Sequence, residues 1–498
     1  MSNQPARANR ATRATRESIG LVLGPALFLA LALLPLGLPS GVQGMMAVAA
    51  LMASWWVTEA IPLAATSLLP LALFPLLGLG TASESAAPYS NHLVYLFLGG
   101  FMLAQAMQRF SLHRRMALTI VRSVGTSPSR IVLGFMCAAA FISMWVSNTA
   151  TAAMMMPIGL AVVQQAVDAD GGSIDTRPGR FHFGANLMLG IAYGASIGGV
   201  ATIIGTPPNV FLVGTMSADH GIEISFVKWL CFGVPFVLSF LPLCWLWLTR
   251  FAFPLEIRSI PGGAARIHSE LEKLGPMTTP EKRLAVVFGL TALAWTFRPV
   301  WTAWLSTGDN VADSTIAILA TIALFVIPAT PAGPDGRAER LLNWEWASRL
   351  PWDVLLLFGG GFSLAAGFER NGLSVWVGEQ LQFFATLPLP LFIVIVVALI
   401  VTLTEFASNT ASAAMSIPIL AATANSIGVS PLVLAIPATV AASCAFMLPA
   451  ATPPNAIMFG TGYFTLPQLA KAGIGVNVIG VILISLLTLL LARPLFGV

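Results

Sequence analysis

The sequence predicts an all-α polytopic membrane protein made of two related halves, and three observations carry that expectation. Of 498 residues, 56% are hydrophobic and only 9% are charged, against roughly 25% charged in a typical soluble protein. The apolar residues fall in long continuous runs, and about twenty such residues form a helix that crosses a hydrocarbon core of ~30 Å. Three motifs of the first half also recur, in order, in the second. With a mean hydropathy of +0.83, a water-soluble enzyme is excluded, because its surface could not be covered with polar groups. An outer-membrane barrel would need alternating strands of ~10 residues, which continuous runs contradict.

The chain opens with Arg7, Arg10, Arg13 and Arg16 ahead of an apolar run from Ile19 to Leu38. That run is longer than the apolar region of a signal peptide and lacks a clear small-x-small cleavage site, so it reads as a retained first helix with a cytoplasmic N-terminus. Further full spans are expected at 43–60, 62–79, 92–109, 183–216, 226–249, 284–305, 312–330, 352–373, 431–463 and 473–495, eleven in all with 183–216 and 431–463 interrupted. Four apolar arms remain, at 131–146, 150–166, 385–406 and 411–426. A sixteen-residue arm reaches only ~24 Å, so paired arms predict two re-entrant hairpins with tips near mid-membrane, although 385–406 is long enough to span. Such backbone is tolerated only where protein or a wet cavity surrounds it. The organisation is then a cytoplasmic tail (1–18), a first half (19–250), a cytoplasmic linker (251–283) and a second half (284–498).

Charge supports this threading. Twenty-one of the twenty-five Lys and Arg residues fall on the cytoplasmic side, and only Lys228, Arg298, Arg370 and Arg493 fall opposite. That bias follows the positive-inside rule and accounts for the net charge of +4 without an acidic partner or nucleic acid. Cys137, Cys231, Cys244 and Cys444 all lie in apolar segments, where small hydrophobes in helices are the simplest reading. The five histidines share no ligand spacing, and neither a Walker loop nor HExxH is present.

The repeat is explicit. LFLGGFMLAQAMQRFSL (Leu96 to Leu112) matches LFGGGFSLAAGFERNGL (Leu357 to Leu373) at nine of seventeen positions, offset by 261. SNTATAAMMMPI from Ser147 matches SNTASAAMSIPI from Ser408 at the same offset, and TPPN at Thr206 recurs at Thr452, offset by 246. The fifteen-residue difference corresponds to the polar loop around Asp168–Arg180. Three ordered matches form a gene-duplication pattern. The first Gly-rich helix ends in arginines without an acid (Arg109, Arg114, Arg115, Arg122), whereas the second ends at Glu369, Arg370 and Glu379, so the copies face opposite ways. Inverted repeats around broken helices are the architecture of secondary transporters, with substrate held at the repeat interface.

The motifs supply chemistry. Ser, Asn and Thr favour turns and helix N-caps, so the arms after Ser147-Asn148-Thr149 and Ser408-Asn409-Thr410 present positive dipole ends at the hairpin tips. Those ends attract carboxylates, while the free carbonyls of the preceding arms suit sodium. Pro207 and Pro208 cannot donate to Ile203 and Ile204, nor Pro453 and Pro454 to Pro449 and Ala450, so the helix opens at each TPPN. A single motif is better explained by a Pro kink or a small-residue packing face. Four at symmetric positions favour a site.

SNTATAAMMMP, GTPPN, WWVTEAIP (Trp55 to Pro62), TEFASNTASAA and ATPPN together resemble the divalent-anion/sodium symporter family, over nearly the whole chain from Trp55 onward. The resemblance implies eleven transmembrane helices with two re-entrant hairpins, a homodimer in membrane lipid, and elevator movement of a transport domain. It implies Na⁺ as the coupling ion, with no cofactor and no catalytic residue. Carried over, its first sodium site falls on Ser143, Ser147, Asn148 and Gly205, and its second on Thr404, Ala407, Asn409 and Ala451, partly through carbonyls. Its substrate contacts fall on Asn148, Thr149, Ser408, Asn409 and Thr410, with Thr206, Thr452 and Pro453 nearby. Ser412, where the first copy has Thr151, keeps a hydroxyl.

Glu405 stands alone in an apolar arm, and an intramembrane acid is a functional candidate by default. It reads either as a proton-coupling group or, more simply, as a carboxylate bonded to hairpin backbone or tuning the second cation site. Glu59 and Asp353 read as cap or interface residues, 109–130 as a cytoplasmic amphipathic connector, and Trp55, Trp56, Trp245, Trp247, Trp301 and Trp304 as an interfacial belt. The expected function is sodium-coupled symport of small dianions, C4-dicarboxylates foremost, across a bacterial inner membrane. The alternatives are sodium-independent exchange, citrate or sulfate as substrate, and, remotely, a membrane enzyme, for which no clustered nucleophile, base or metal set is visible.

Overall fold

The computed structural model describes every residue except 1–3, 126, 170–173, 258, 308–309, 331–337, 381–386 and 498, together with the side chains of 4–14, 264 and 493. The start of the 385–406 arm, part of the 168–180 loop, Arg258, Arg337 and the side chains of Arg7, Arg10, Arg13 and Arg493 therefore lie outside the described residues. Among the described residues every regular element is a helix, with one isolated bridge between Pro328 and Arg340. Six helices there are long and apolar enough to cross a membrane, or eight if two bent pairs are single spans.

Prolines and turns decide where the expected spans divide. Span 62–79 is two pieces, Leu63–Thr66 and Leu69–Leu77, set off by Pro62 and Pro70. Span 284–305 bends by 78° between Thr279–Thr296 and Arg298–Trp304, at Arg298-Pro299. The helix His92–Arg109 turns by 75° into Leu112–Val124 through Ser111, which adopts a left-handed φ of 55°. The last long helix starts earlier than hydropathy indicated, at Leu466. There Thr465 and Gln468 form a capping box that carries Lys471 into the helix.

The two long interrupted spans are broken as expected. His182–Gly199 stops and Pro207–His220 begins after an irregular stretch, the first break; Leu432–Ala442 and Pro453–Phe459 flank the second. The first hairpin comprises Pro128–Ser143 and Asn148–Ala169, the second Leu389–Phe406 and Asn409–Ser426. One arm differs from the short arms expected: Asn148–Ala169 has 22 residues and at ~33 Å could cross the core. It outruns its apolar stretch because polar residues continue the helix, with Gln164 donating to Asp168 one turn on at 2.8 Å.

The halves interlock. Pro207–His220 packs on the second hairpin's Asn409–Ser426, and Pro453–Phe459 packs on the first hairpin's Asn148–Ala169. Close approach needs small residues: a Cβ at Gly198 would lie 2.2 Å from the Ala140 carbonyl oxygen, and one at Gly360 2.3 Å from that of Ser67. Outside this core lies an exposed apolar belt that includes Leu76, Val300 and Trp304, the surface that a bilayer would solvate. The arginines that end the first Gly-rich helix do find acids, but distant ones. Arg109 pairs with Glu339, Arg114 with Glu270 at 2.9 Å, and Arg115 with Glu281 at 2.9 Å.

Candidate substrate and cation site

Both hairpin tips and both breaks meet at one cavity of about 760 Å³. Asn148, Thr149, Ser408, Asn409 and Thr410 line it, and so do Thr206, Thr452 and Pro453, so all the residues expected to contact an anion share one space. Of those expected to hold cations, Ser147, Gly205 and Ala451 line it as well. Ser143, Thr404 and Ala407 do not; they are buried behind the tips.

The tips are built alike. The Ser143 hydroxyl donates to Asn148 Oδ1 at 2.5 Å, and Thr404, at the equivalent position, donates to Asn409 Oδ1 at 2.9 Å. Each amide is thereby fixed from behind, keeping a free lone pair on oxygen and two N–H donors on nitrogen. The first tip is capped by its serine, whose hydroxyl accepts from the Ala150 N–H at 3.3 Å, whereas Ser408 makes no side-chain cap. Both arms nevertheless begin at the cavity wall, where their unpaired N–H groups form an anion-attracting end.

The breaks differ in character from the tips. Proline at the first two helical positions removes two N–H donors from Pro207–His220 and from Pro453–Phe459. What remains there is carbonyl and hydroxyl oxygen, which suits a hard cation better than an anion. A Cβ at Gly199 would lie 2.6 Å from Asn148 Oδ1 and 3.1 Å from the Gly205 carbonyl oxygen, so these two oxygens face a common point that a methyl group would fill.

Two further kinds of residue shape the site, the TPPN asparagines, expected to act structurally, and an apolar wall that was not foreseen. Asn209 Nδ2 spans the first break, donating to the carbonyls of Gly199, Val200 and Thr202 at 3.3, 3.2 and 2.7 Å. Asn455 repeats this with Ala445 and Leu448 at 3.1 and 3.2 Å. The final letter of TPPN was the available signal, since an amide just after an opened helix is well placed to hold freed carbonyls. Phe97, Phe101 and Leu357 form an apolar wall of the cavity, and the phenylalanines belong to the Gly-rich repeat itself. Glu59 and Asp353 also reach the cavity lining, and Glu59 is a C-cap as expected, its N–H donating to the Trp55 carbonyl. No Lys or Arg lines the cavity, and among the described residues no group of three His, Cys, Asp or Glu side chains could hold a metal.

A helical membrane fold with paired hairpins and broken helices around a cavity that carries hydroxyls and amides but no lysine or arginine defines a protein of the secondary-transporter class. The chain belongs to the divalent-anion/sodium symporter family, whose model, described as the sodium:sulfate symporter transmembrane region, matches residues 15–498. It is 44% identical over 486 residues to a sodium-dependent dicarboxylate transporter, SdcS, of Staphylococcus saprophyticus, covering 97% of this chain and 92% of the relative. It is 43% identical to the Staphylococcus aureus protein of the same name, covering 97% and 93%. Among solved structures it resembles the YdaH transporter of Alcanivorax borkumensis (TM-score 0.55, 14% identity, 92% of this chain and 99% of that one). It also resembles MtrF of Neisseria gonorrhoeae (TM-score 0.55, 13% identity, 93% and 96%). At those identities the likeness is one of fold.

Proposed function

We propose that this protein is a sodium-coupled symporter of small dicarboxylates. One observation carries the reading: amides, hydroxyls and helix N-termini from both halves surround a single cavity that contains no lysine or arginine. A dianion there is met by neutral donors and by the positive ends of helices, and bound Na⁺ supplies the missing charge. Cation and substrate then share Asn148 and Asn409, so each organises the site for the other. The dicarboxylate relatives support this substrate class.

In this reading the first cation site is Ser143, Ser147, Asn148 and Gly205, and the second is Thr404, Ala407, Asn409 and Ala451. Asn148, Thr149, Ser408, Asn409 and Thr410 meet the carboxylates, with Thr206, Thr452 and Pro453 beside them. C4-dicarboxylates such as succinate are the expected cargo. The halves 19–250 and 284–498 act as inverted repeats joined by the 251–283 linker. The transport domain moves as an elevator within a homodimer in the bacterial inner membrane, with the 1–18 tail cytoplasmic.

The test is uptake of labelled succinate into proteoliposomes under an inward sodium or potassium gradient, with unlabelled citrate, sulfate and aspartate as competitors. Uptake should require sodium and be blocked by dicarboxylates. Equal rates in the two cations, with counterflow in sodium-free buffer, would make the protein an exchanger instead.

A further inference from the structure

The two halves build their breaks differently, and the difference centres on Glu405. Under the offsets of the repeat, Glu405 corresponds to Met144, and Leu448 to Thr202. In the first half the helix runs to Gly199, and the N–H groups of Val200 and Ala201 close turns on the carbonyls of Ile197 and Gly198 at 3.2 and 3.0 Å. The Thr202 hydroxyl then donates to the Met144 carbonyl at 2.5 Å, tying the break to the hairpin. In the second half the helix ends at Ala442, equivalent to Ser196, and so unwinds three residues sooner.

The N–H groups freed by that early unwinding converge on one carboxylate. Phe446 donates to Glu405 Oε1 at 2.7 Å, Met447 to both oxygens at 3.0 and 3.1 Å, and Leu448 to Oε2 at 3.2 Å. Asn477 Nδ2 adds a fourth donor at 2.7 Å, and its own Oδ1 is left buried without a partner. The same pair of positions thus joins hairpin to break in both halves with opposite polarity: a hydroxyl donates in the first, and a carboxylate accepts in the second. Glu405 is only 3% exposed and does not line the substrate cavity. It lies instead beside a separate groove of about 510 Å³, walled by apolar side chains such as Val401, Ile474 and Val478.

We infer that Glu405, held by Asn477, is a positioning residue for the second cation site: its carboxylate replaces the helical turn that the second half lacks and fixes the break whose oxygens face the ion. This rests on the sodium-coupled reading above. Thr404, next in the chain, shares its single O–H between the Ala442 carbonyl at 2.8 Å and Asn409 Oδ1 at 2.9 Å. On the far side of the pinned residues, Asn455 holds the Ala445 and Leu448 carbonyls, and Ala451 follows within the same segment. Drawing three successive N–H groups to one carboxylate leaves the intervening carbonyls a narrow range of directions. Charge-assisted bonds to a carboxylate are roughly twice as strong as neutral ones, so the segment is set before an ion arrives. A proton carrier at this position would have to exchange its proton with a cavity it does not reach, and a proton on either oxygen would displace an N–H donor.

The experiment uses the full-length protein in proteoliposomes with Glu405→Gln and, as a milder change that keeps the carboxylate, Asn477→Ala. Glu405→Gln should raise the half-saturating sodium concentration about tenfold and Asn477→Ala by several-fold, while the succinate KM at saturating sodium stays within about twofold of the parent. A purely structural lesion would lower maximal rate without that split. Unchanged sodium half-saturation in Asn477→Ala and in any Glu405→Gln protein that folds would overturn the assignment, as would a substrate-linked proton flux in the parent that Glu405→Gln abolishes. A parent protein indifferent to sodium would instead sink the sodium-coupled reading itself.

Discussion

Asn148 and Asn409 each offer one amide to two proposed ligands, with the amide oxygen already fixed by a hydroxyl from behind. Removing either amide leaves buried partners unpaired at ~1–3 kcal/mol. Apparent sodium and succinate affinities should therefore fall together, by roughly 5- to 150-fold, in Asn148→Ala and in Asn409→Ala. Proteoliposome titrations of each ligand at several fixed levels of the other would detect the coupling; normal dependence on both would rule it out. Gly199→Ala should be selective in another way. Its methyl group would sit 2.6 Å from Asn148 Oδ1, so sodium affinity should drop sharply in a protein that still folds. Asn209 contacts only backbone carbonyls. Asn209→Ala should accordingly show mainly as lost thermal stability, by ~1–3 kcal/mol, with ligand affinities changing less than in the SNT variants.

At the scale of elements, hairpins and broken helices were legible because their determinants are local. A proline pair cannot continue a helix, and Ser-Asn-Thr starts one. The exact ends were less legible. Asn148–Ala169 outran its apolar run, because hydropathy registers burial in lipid and not the helical hydrogen bonds that polar residues also make. The 78° bend at Arg298-Pro299 was hidden by unbroken apolarity on both sides. Glu405 was singled out in the sequence, with a backbone-bonded carboxylate among its readings, but its partners were not legible: residues 446–448 lie about forty residues away, and only the fold brings them together. Helix contacts give their own test. Gly198→Ala would force a methyl group to 2.2 Å from the Ala140 carbonyl oxygen, which must push His182–Gly199 off the first hairpin. A fall in melting temperature larger than that for Gly289→Ala, whose added carbon meets nothing within 4 Å, is the expected outcome.

For the molecule as a whole, the paired motifs indicated that two halves build one site, and the cavity collects all the residues expected to meet the anion. The crossed packing of each broken helix on the other half's hairpin had no counterpart in the sequence, because no motif records which helix faces which. The proposed threading is open to direct measurement. A cysteine introduced at Asp175 into a protein whose own four cysteines are replaced should react with a membrane-impermeant maleimide only from the cytoplasmic side. One introduced at Glu223 should react only from the other side, and the reverse pattern would invert the topology.

The arginine pairs at the end of the first Gly-rich helix bear on how the chain is made. Arg114 and Arg115 meet acids 156 and 166 residues further along, and Arg109 meets one 230 residues on. At synthesis rates of ~5–20 residues per second, those acids emerge roughly eight to forty-five seconds after the arginines. During that interval the stretch carries its full positive charge, and it is bare Lys and Arg, not net charge, that orients neighbouring helices. Under the proposed threading the same guanidinium groups would serve twice in succession: unpaired, to orient the early helices, and later paired, to hold Glu270, Glu281 and Glu339 against a segment already in place.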